Sequence, residues 1–169
     1  FGQYKRIDIW WKEINQESDL GLQLVRMLLA SPDWSNTHVR ILYLNNDNSQ
    51  KLIVEDAVRK RLEALRVDAE LEIINNELEK KGFYEIVKIN SFEADLILLN
   101  IPEIEEGKEN TFIENTNAFL DVMGTTLLLK ASSHFYDEEG FDPLLEMKYQ
   151  KEEFASLYIE KTDAVVLGL

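Results

Sequence analysis

Four groups of side chains in this 169-residue sequence are of types that can do chemistry. Two adjacent tryptophans, Trp10 and Trp11, end the run KRIDIWW at residues 5–11 and could form an aromatic ligand platform. His38 and His134 are the only imidazoles, each beside strand-like residues, and each reads as a metal ligand, a base, or a plain structural or exposed histidine. Carboxylates gather twice: Glu103, Glu105 and Glu106, then Asp137, Glu138, Glu139 and Asp142. The second group lacks the D-x-D-x-D-G spacing of an EF-hand, so a solvated turn is the reading preferred over Ca²⁺ binding. Arg59, Lys60 and Arg61, flanked by Lys51 and Arg66, make the one positive face, either paired along a helix (Glu55 with Arg59) or kept for an acidic partner.

None of these groups assembles into known machinery. There is no GxSxG, no P-loop and no GxGxxG. With no cysteine, disulfides, thiolate metal sites and thiol catalysis are excluded. No catalytic, cofactor-binding or metal-ligating residue is assigned. The balance of 18 basic against 32 acidic residues gives a net charge of −14, which repels phosphate backbones and anionic headgroups, so nucleic acid is not an expected partner. No apolar run approaches the ~20 residues of a bilayer span, and residues 1–11 contain no apolar core long enough for a signal peptide.

The elements that must carry these residues follow from hydrophobic period. In residues 7–11, Ile7, Ile9 and Trp11 alternate with Asp8 and Trp10, a strand apolar on both faces, as a central parallel strand is. Adjacent strand residues point to opposite faces, so each tryptophan is expected to pack under a helix. Ser18 or Asp19 can cap a helix carrying Leu20, Leu22, Leu24, Val25, Leu28 and Leu29, which stops near Pro32. Residues 38–45 (HVRILYLN) form the second strand. After a polar turn with Asn48 or Ser49 as cap, residues 50–65 form a helix with Leu52, Ile53, Val58, Leu62 and Leu65 inward. Residues 69–74 read as a third strand near a sheet edge, and residues 84–90 as a short helix. The almost wholly apolar run at 95–101 is a fourth, buried strand. Thr111 is expected to cap a helix running to about Met123, with Phe112, Ile113, Phe119, Leu120 and Met123 on its apolar face, and Gly124 ends it. Residues 125–131 form a fifth strand.

This alternation predicts an α/β fold: a mostly parallel five-stranded sheet with helices on both faces, spanning residues 1–133. Residues 134–169 read as a C-terminal extension, a helix from Asp142-Pro143 over 144–159 and a strand at 164–169. It either packs on the first domain or on a partner, or begins another subdomain.

Several patches in order carry a family resemblance: IDIWW at 7–11, LGLQLVRMLL at 20–29, HVRILYL at 38–44, ADLILLNIP at 94–102 and GTTLLLKAS at 124–132. Together they resemble the cytoplasmic carboxy-terminal domain of the cation-chloride cotransporter family, including its prokaryotic members and related amino acid permeases. The resemblance covers roughly residues 6–132. It implies a universal stress protein-like fold without catalytic activity. It further implies a role in dimer assembly and transport regulation at the cytoplasmic face of the inner membrane, with the chain's own transmembrane transport domain as partner and no membrane insertion by this part. ATP-binding universal stress proteins look like G-x2-G-x9-G-(S/T) after the fourth strand, where backbone N–H groups cradle phosphate. Here that place reads IPEIEEG, one glycine among three carboxylates, so no nucleotide cofactor is expected. The alternative is a stand-alone universal stress protein-like domain that binds a nucleotide or another ligand.

Overall fold

The computed structural model describes residues 2–131. Its chain runs β1 (Arg6–Trp11), α1 (Gln16–Leu29), β2 (His38–Asn45), α2 (Lys51–Leu65), β3 (Glu70–Asn75), α3 (Phe83–Ser91), β4 (Leu96–Asn100), α4 (Glu109–Leu120) and β5 (Thr126–Leu129). The five strands form one sheet in the order β3-β2-β1-β4-β5. Every pairing is parallel, so the sheet is wholly rather than mostly parallel. The α/β class and the five strands are as expected. The boundary at 133/134 and the extension beyond it lie outside the described residues.

Strand alternation divides the core into two layers. On one face Ile7, Ile9 and Trp11 meet Leu22 and Val25 of α1 and Val54, Val58 and Leu65 of α2. On the other face Trp10, Leu42, Ile97 and Leu99 meet Ile86 and Val87 of α3 and Phe119 of α4. Helices therefore cover both faces, and β1, with neighbours on both sides, is buried throughout from Ile7 to Trp11. The two tryptophans do point to opposite faces. Trp11 is 0% exposed, and Trp10, 1% exposed, donates from Nε1 to Ser91 Oγ at 2.9 Å.

Helix ends depart from the sequence reading where a different side chain wins the cap. Helix α1 starts at Gln16, not after Ser18 or Asp19: Asn15 Oδ1 accepts from Ser18 N at 3.2 Å and Ser18 Oγ accepts from Asn15 N at 3.3 Å. Ser18 is thus the returning half of a capping box. Before α2, Asp47 rather than Asn48 or Ser49 caps a 3₁₀ turn at Asn48–Gln50, accepting from Ser49 N at 2.9 Å. Within α2 the buried stripe is Val54, Val58 and Leu65, and Leu52 and Ile53 face solvent. Spacings of four and seven residues keep those three on one side of a 3.6-residue helix, which turns positions 52 and 53 outward. Helix α4 starts at Glu109, two residues before Thr111, has no side-chain cap, and ends at Leu120. Its buried residues are Thr116 and Phe119, while Ile113 is exposed. Thr116 sits inside because its Oγ1 shares a 2.8 Å hydrogen bond with Tyr84 Oη.

One polar assembly crosses the α3/α4 face. Asp8 of β1, which is fully buried, faces Arg40 in the neighbouring strand. Arg40 donates from Nε to Asp8 Oδ1 at 2.9 Å and from Nη2 to Asp8 Oδ2 at 2.7 Å, a bidentate pair. Its Nη1 reaches Glu72 Oε2 of β3 at 2.8 Å, and Nη2 also reaches Asn90 O in the last turn of α3 at 2.9 Å. The hydrogen bond to Asp8 leads the effects that hold the Arg40 guanidinium above its ordinary pKa, against its own desolvation.

Two predictions follow from burial. Trp11→Ala is expected to lose about 3–5 kcal/mol in urea unfolding, and an unchanged midpoint would show that the ring is not a core element. Arg40→Met is expected to cost up to about 3–5 kcal/mol because it leaves the buried Asp8 carboxylate to the longer contact with Arg6 Nε at 3.6 Å, and the double variant Asp8→Leu/Arg40→Met to recover most of that loss. Equal destabilisation in the single and double variants would refute the stranded-charge account.

Candidate functional site

In an open parallel sheet a ligand crevice forms beyond the strand carboxyl ends, where neighbouring crossovers leave in opposite directions. Here that point lies between β1 and β4, because β1 leads through α1 to β2 on one side while β4 leads through α4 to β5 on the other. A cleft of ≈ 250 Å³ opens there. Its apolar wall is Trp10, Phe83, Ile101 and Pro102, and its polar wall includes Lys12, Glu13, Glu17, Glu103 and Lys130.

Each of these side chains is delivered by an element end. Lys12 and Glu13 follow β1, Glu17 lies in the first turn of α1, Glu103 follows β4 and Lys130 follows β5. The Lys12 ammonium lies 4.0 Å above the centre of the Phe83 ring, a cation–π contact. Lys12 keeps contact with solvent. Even so, desolvation by the surrounding protein lowers its pKa, with the charge of Glu13 pulling the other way. Lys130 is placed differently. It is ion-paired with Glu103 and lies 3.8 Å from Glu17, so its pKa is raised, chiefly by the hydrogen bond to Glu103. This strap ties the β4–α4 loop to the start of α1 across the cleft.

The sequence-level candidates are scattered by the fold. Trp10 lines the cleft, whereas Trp11 is on the opposite face. His38 starts β2 at the amino end of the sheet, half exposed, with Nε2 3.1 Å from Glu70. His134 and the carboxylates at 137, 138, 139 and 142 lie outside the described residues. Among the described residues no three His, Asp or Glu side chains are grouped to hold a metal ion. Of the loop glutamates, Glu103 joins Lys130, Glu105 pairs with Lys108, and Glu106 is exposed. Gly107 adopts φ +82°, a turn position, and nothing lies within 4 Å of where a Cβ would be. The basic stretch of α2 is largely neutralised: Lys60 meets Asp56 at 2.7 Å, Arg61 pairs with Asp19, and Glu55 takes Lys51 at 3.9 Å rather than Arg59. Lys12, Lys130 and the Asp8–Arg40 pair carry the local electrostatics and were not singled out by motif. Asp8 was legible in principle: a carboxylate inside a central strand demands a cation at the same parity on a neighbouring strand, and Arg40 is that residue.

At the amino ends of the strands Asp95, just before β4, fastens the segment that leads into β1. It accepts from the backbone N–H groups of Gln3 at 2.7 Å, Lys5 at 2.8 Å and Arg6 at 3.0 Å. Desolvation pushes its carboxyl up, but the three backbone hydrogen bonds outweigh that and leave the pKa lowered. A depressed folded pKa gives stability that is complete above the unfolded value of about 3.9 and is lost as pH falls through the folded value. Asp95→Asn is therefore expected to melt several degrees lower than the parent at pH 7, with the gap closing in acid as the folded carboxylate is protonated. A gap that persists unchanged in acid would refute the assignment.

Comparison with protein-family models finds no match, and neither does comparison with curated proteins. Among solved structures, a universal stress protein crystallised in complex with cAMP superposes with a TM-score of 0.52 at 13% identity. The match covers 78% of this chain and 100% of that one. Identity this low transfers the architecture and no site residue: the chain has a universal stress protein-like fold.

Proposed function

We infer that this chain is a non-catalytic regulatory and assembly domain of a membrane cation-chloride cotransporter or related permease, working at the cytoplasmic face of the inner membrane. The observation that carries this reading is the ordered set of sequence patches at 7–11, 20–29, 38–44, 94–102 and 124–132. They coincide with β1, α1, β2, β4 and β5, the frame of the sheet. Two structural features support it. The loop after β4 presents Glu103, Glu105 and Glu106 where a triphosphate needs glycine N–H groups. Apolar side chains stand exposed on the outside of the domain, among them Met27, Leu52, Ile53, Val122 and Leu127. Such residues suit self-association through the outer helices or the edge strand β5. Among the described residues no helix is long and apolar enough to cross a membrane. The partner in this reading is the chain's own transport domain, as the sequence resemblance implies.

A second reading is a stand-alone ligand-binding domain. It is favoured by the cleft at the β1/β4 switch point and by the cAMP complex of its structural neighbour.

One experiment separates them. An antibody raised against this domain is expected to detect, in native cell fractions, a band much larger than 19.7 kDa that stays with membranes through an alkaline carbonate wash. A soluble band near that mass would overturn the transporter reading. Protection from melting by millimolar nucleotide would then favour the second. Self-association is checked apart from this by sedimentation at high concentration, where a strict monomer would remove the assembly role.

A further inference from the structure

Two spaces adjoin beyond the ends of β1 and β4. The charged cleft of ≈ 250 Å³ and a smaller one of ≈ 120 Å³ share Lys12, Phe83 and residues 100–102 as a common wall. The smaller space is completed by Tyr84, Leu99, Phe112 and Leu128. It is apolar, since the Tyr84 hydroxyl is engaged with Thr116.

The charges around this pair of spaces are unequal in their commitments. Lys130 is held by Glu103 and Glu17. Lys12 stands on the boundary between the two spaces, over the Phe83 ring, and no carboxylate among the described residues lies within ion-pair distance of it. Glu13, beside it, likewise has no ion-pair partner among the described residues. Among the described residues the site thus offers one ammonium without an ion-pair partner, a surplus of carboxylates and an apolar side pocket.

That combination selects a ligand class. A triphosphate meets three glutamates and, among the described residues, a single cation without an ion-pair partner. A purely apolar molecule covers Lys12 without pairing it, which leaves a desolvated charge. A molecule with a carboxylate for Lys12, an ammonium for Glu13 and Glu17, and an apolar group for the Leu128 pocket satisfies every wall. We propose that this cleft binds a free α-amino acid with an apolar side chain. The carboxylate meets the Lys12 ammonium, the amino group meets the Glu13 and Glu17 carboxylates, whose charge opposes the positive helix end beside them, and the side chain enters the space between Tyr84, Leu99 and Leu128. The proposal stands on the cleft alone and holds whether or not the chain serves a transporter.

The test is calorimetric titration of the whole 169-residue chain with L-leucine and L-phenylalanine. Companion titrations use 4-methylpentanoate, which lacks the ammonium, isoamylamine, which lacks the carboxylate, and Mg-ATP. Saturable binding of leucine or phenylalanine is expected, weaker by about tenfold or more for either analogue, the size of a lost charge-assisted hydrogen bond. Lys12→Gln is expected to weaken the amino acids by a similar factor. Leu128→Phe narrows the side pocket and is expected to weaken leucine and phenylalanine while sparing alanine. If either variant fails to fold, the analogue series on the parent chain decides alone. No saturation at millimolar leucine or phenylalanine would overturn the proposal. So would analogues that bind as tightly as the amino acids, or Mg-ATP binding where they do not.

Discussion

A carboxylate with no access to water sits in the middle of the central strand, and the sheet is assembled so that one guanidinium can meet both of its oxygens. Removing Asp8 from water is costly, and only a close, doubly hydrogen-bonded cation offsets it. Arg40 is directly across the ladder from Asp8, so the pair fixes the register of β1 against β2 as well as neutralising the charge. The same guanidinium then recruits Glu72 from β3 and the Asn90 carbonyl from the last turn of α3, where a helix end favours a cation. Three strands and one helix are keyed by a single side chain. A one-residue slip of β2 would move Arg40 to the other face and leave the buried Asp8 carboxylate to the more distant Arg6 Nε, 3.6 Å away.

Around that centre the two ends of the sheet are built differently. At the amino ends of the strands Asp95 uses backbone N–H groups to clamp the entry to β1, and little of the clamp depends on other side chains. At the carboxyl ends the contacts are long-range and ionic, with Lys130 bridging two elements that are far apart in sequence. The first end suits rigidity. The second leaves a cleft whose walls are held by partly exposed charges, which salt screens and a ligand can compete with.

Much of the architecture was legible because it rests on local period. Most of the strands are short, largely apolar runs, β3 shows itself by alternating Leu71 and Ile73 with Glu70 and Glu72, and Trp10 and Trp11 could be sent to opposite faces from alternation alone. Helix starts were less legible, because Asn15 and Asp47 compete with near neighbours of similar capping ability, and α4 begins at Glu109 with no side-chain cap at all. The exposure of Leu52, Ile53 and Ile113 was missed because an apolar residue near a stripe edge looks inward until the helix is rotated by its packing. The cleft was least legible of all. Lys12, Phe83, Glu103 and Lys130 share no motif and meet only through the order of the strands. Sequence reading directed attention instead to histidines and acidic runs, which the fold disperses or which fall outside the described residues.

The strand order also bears on how the chain is made. During synthesis β1, β2 and β3 emerge first, with α1 and α2 to cover one face. Their other face, with Trp10, Leu42 and the Asp8–Arg40 pair, receives its cover only when α3 and α4 follow, and β1 gains its second neighbour only with β4. The half-made sheet therefore carries its own charge neutralisation from the moment β2 docks. Until α3 and α4 arrive, Trp10 and Leu42 stand on an uncovered apolar face, the state in which growing chains aggregate, while the charge at the centre of that face is already neutralised.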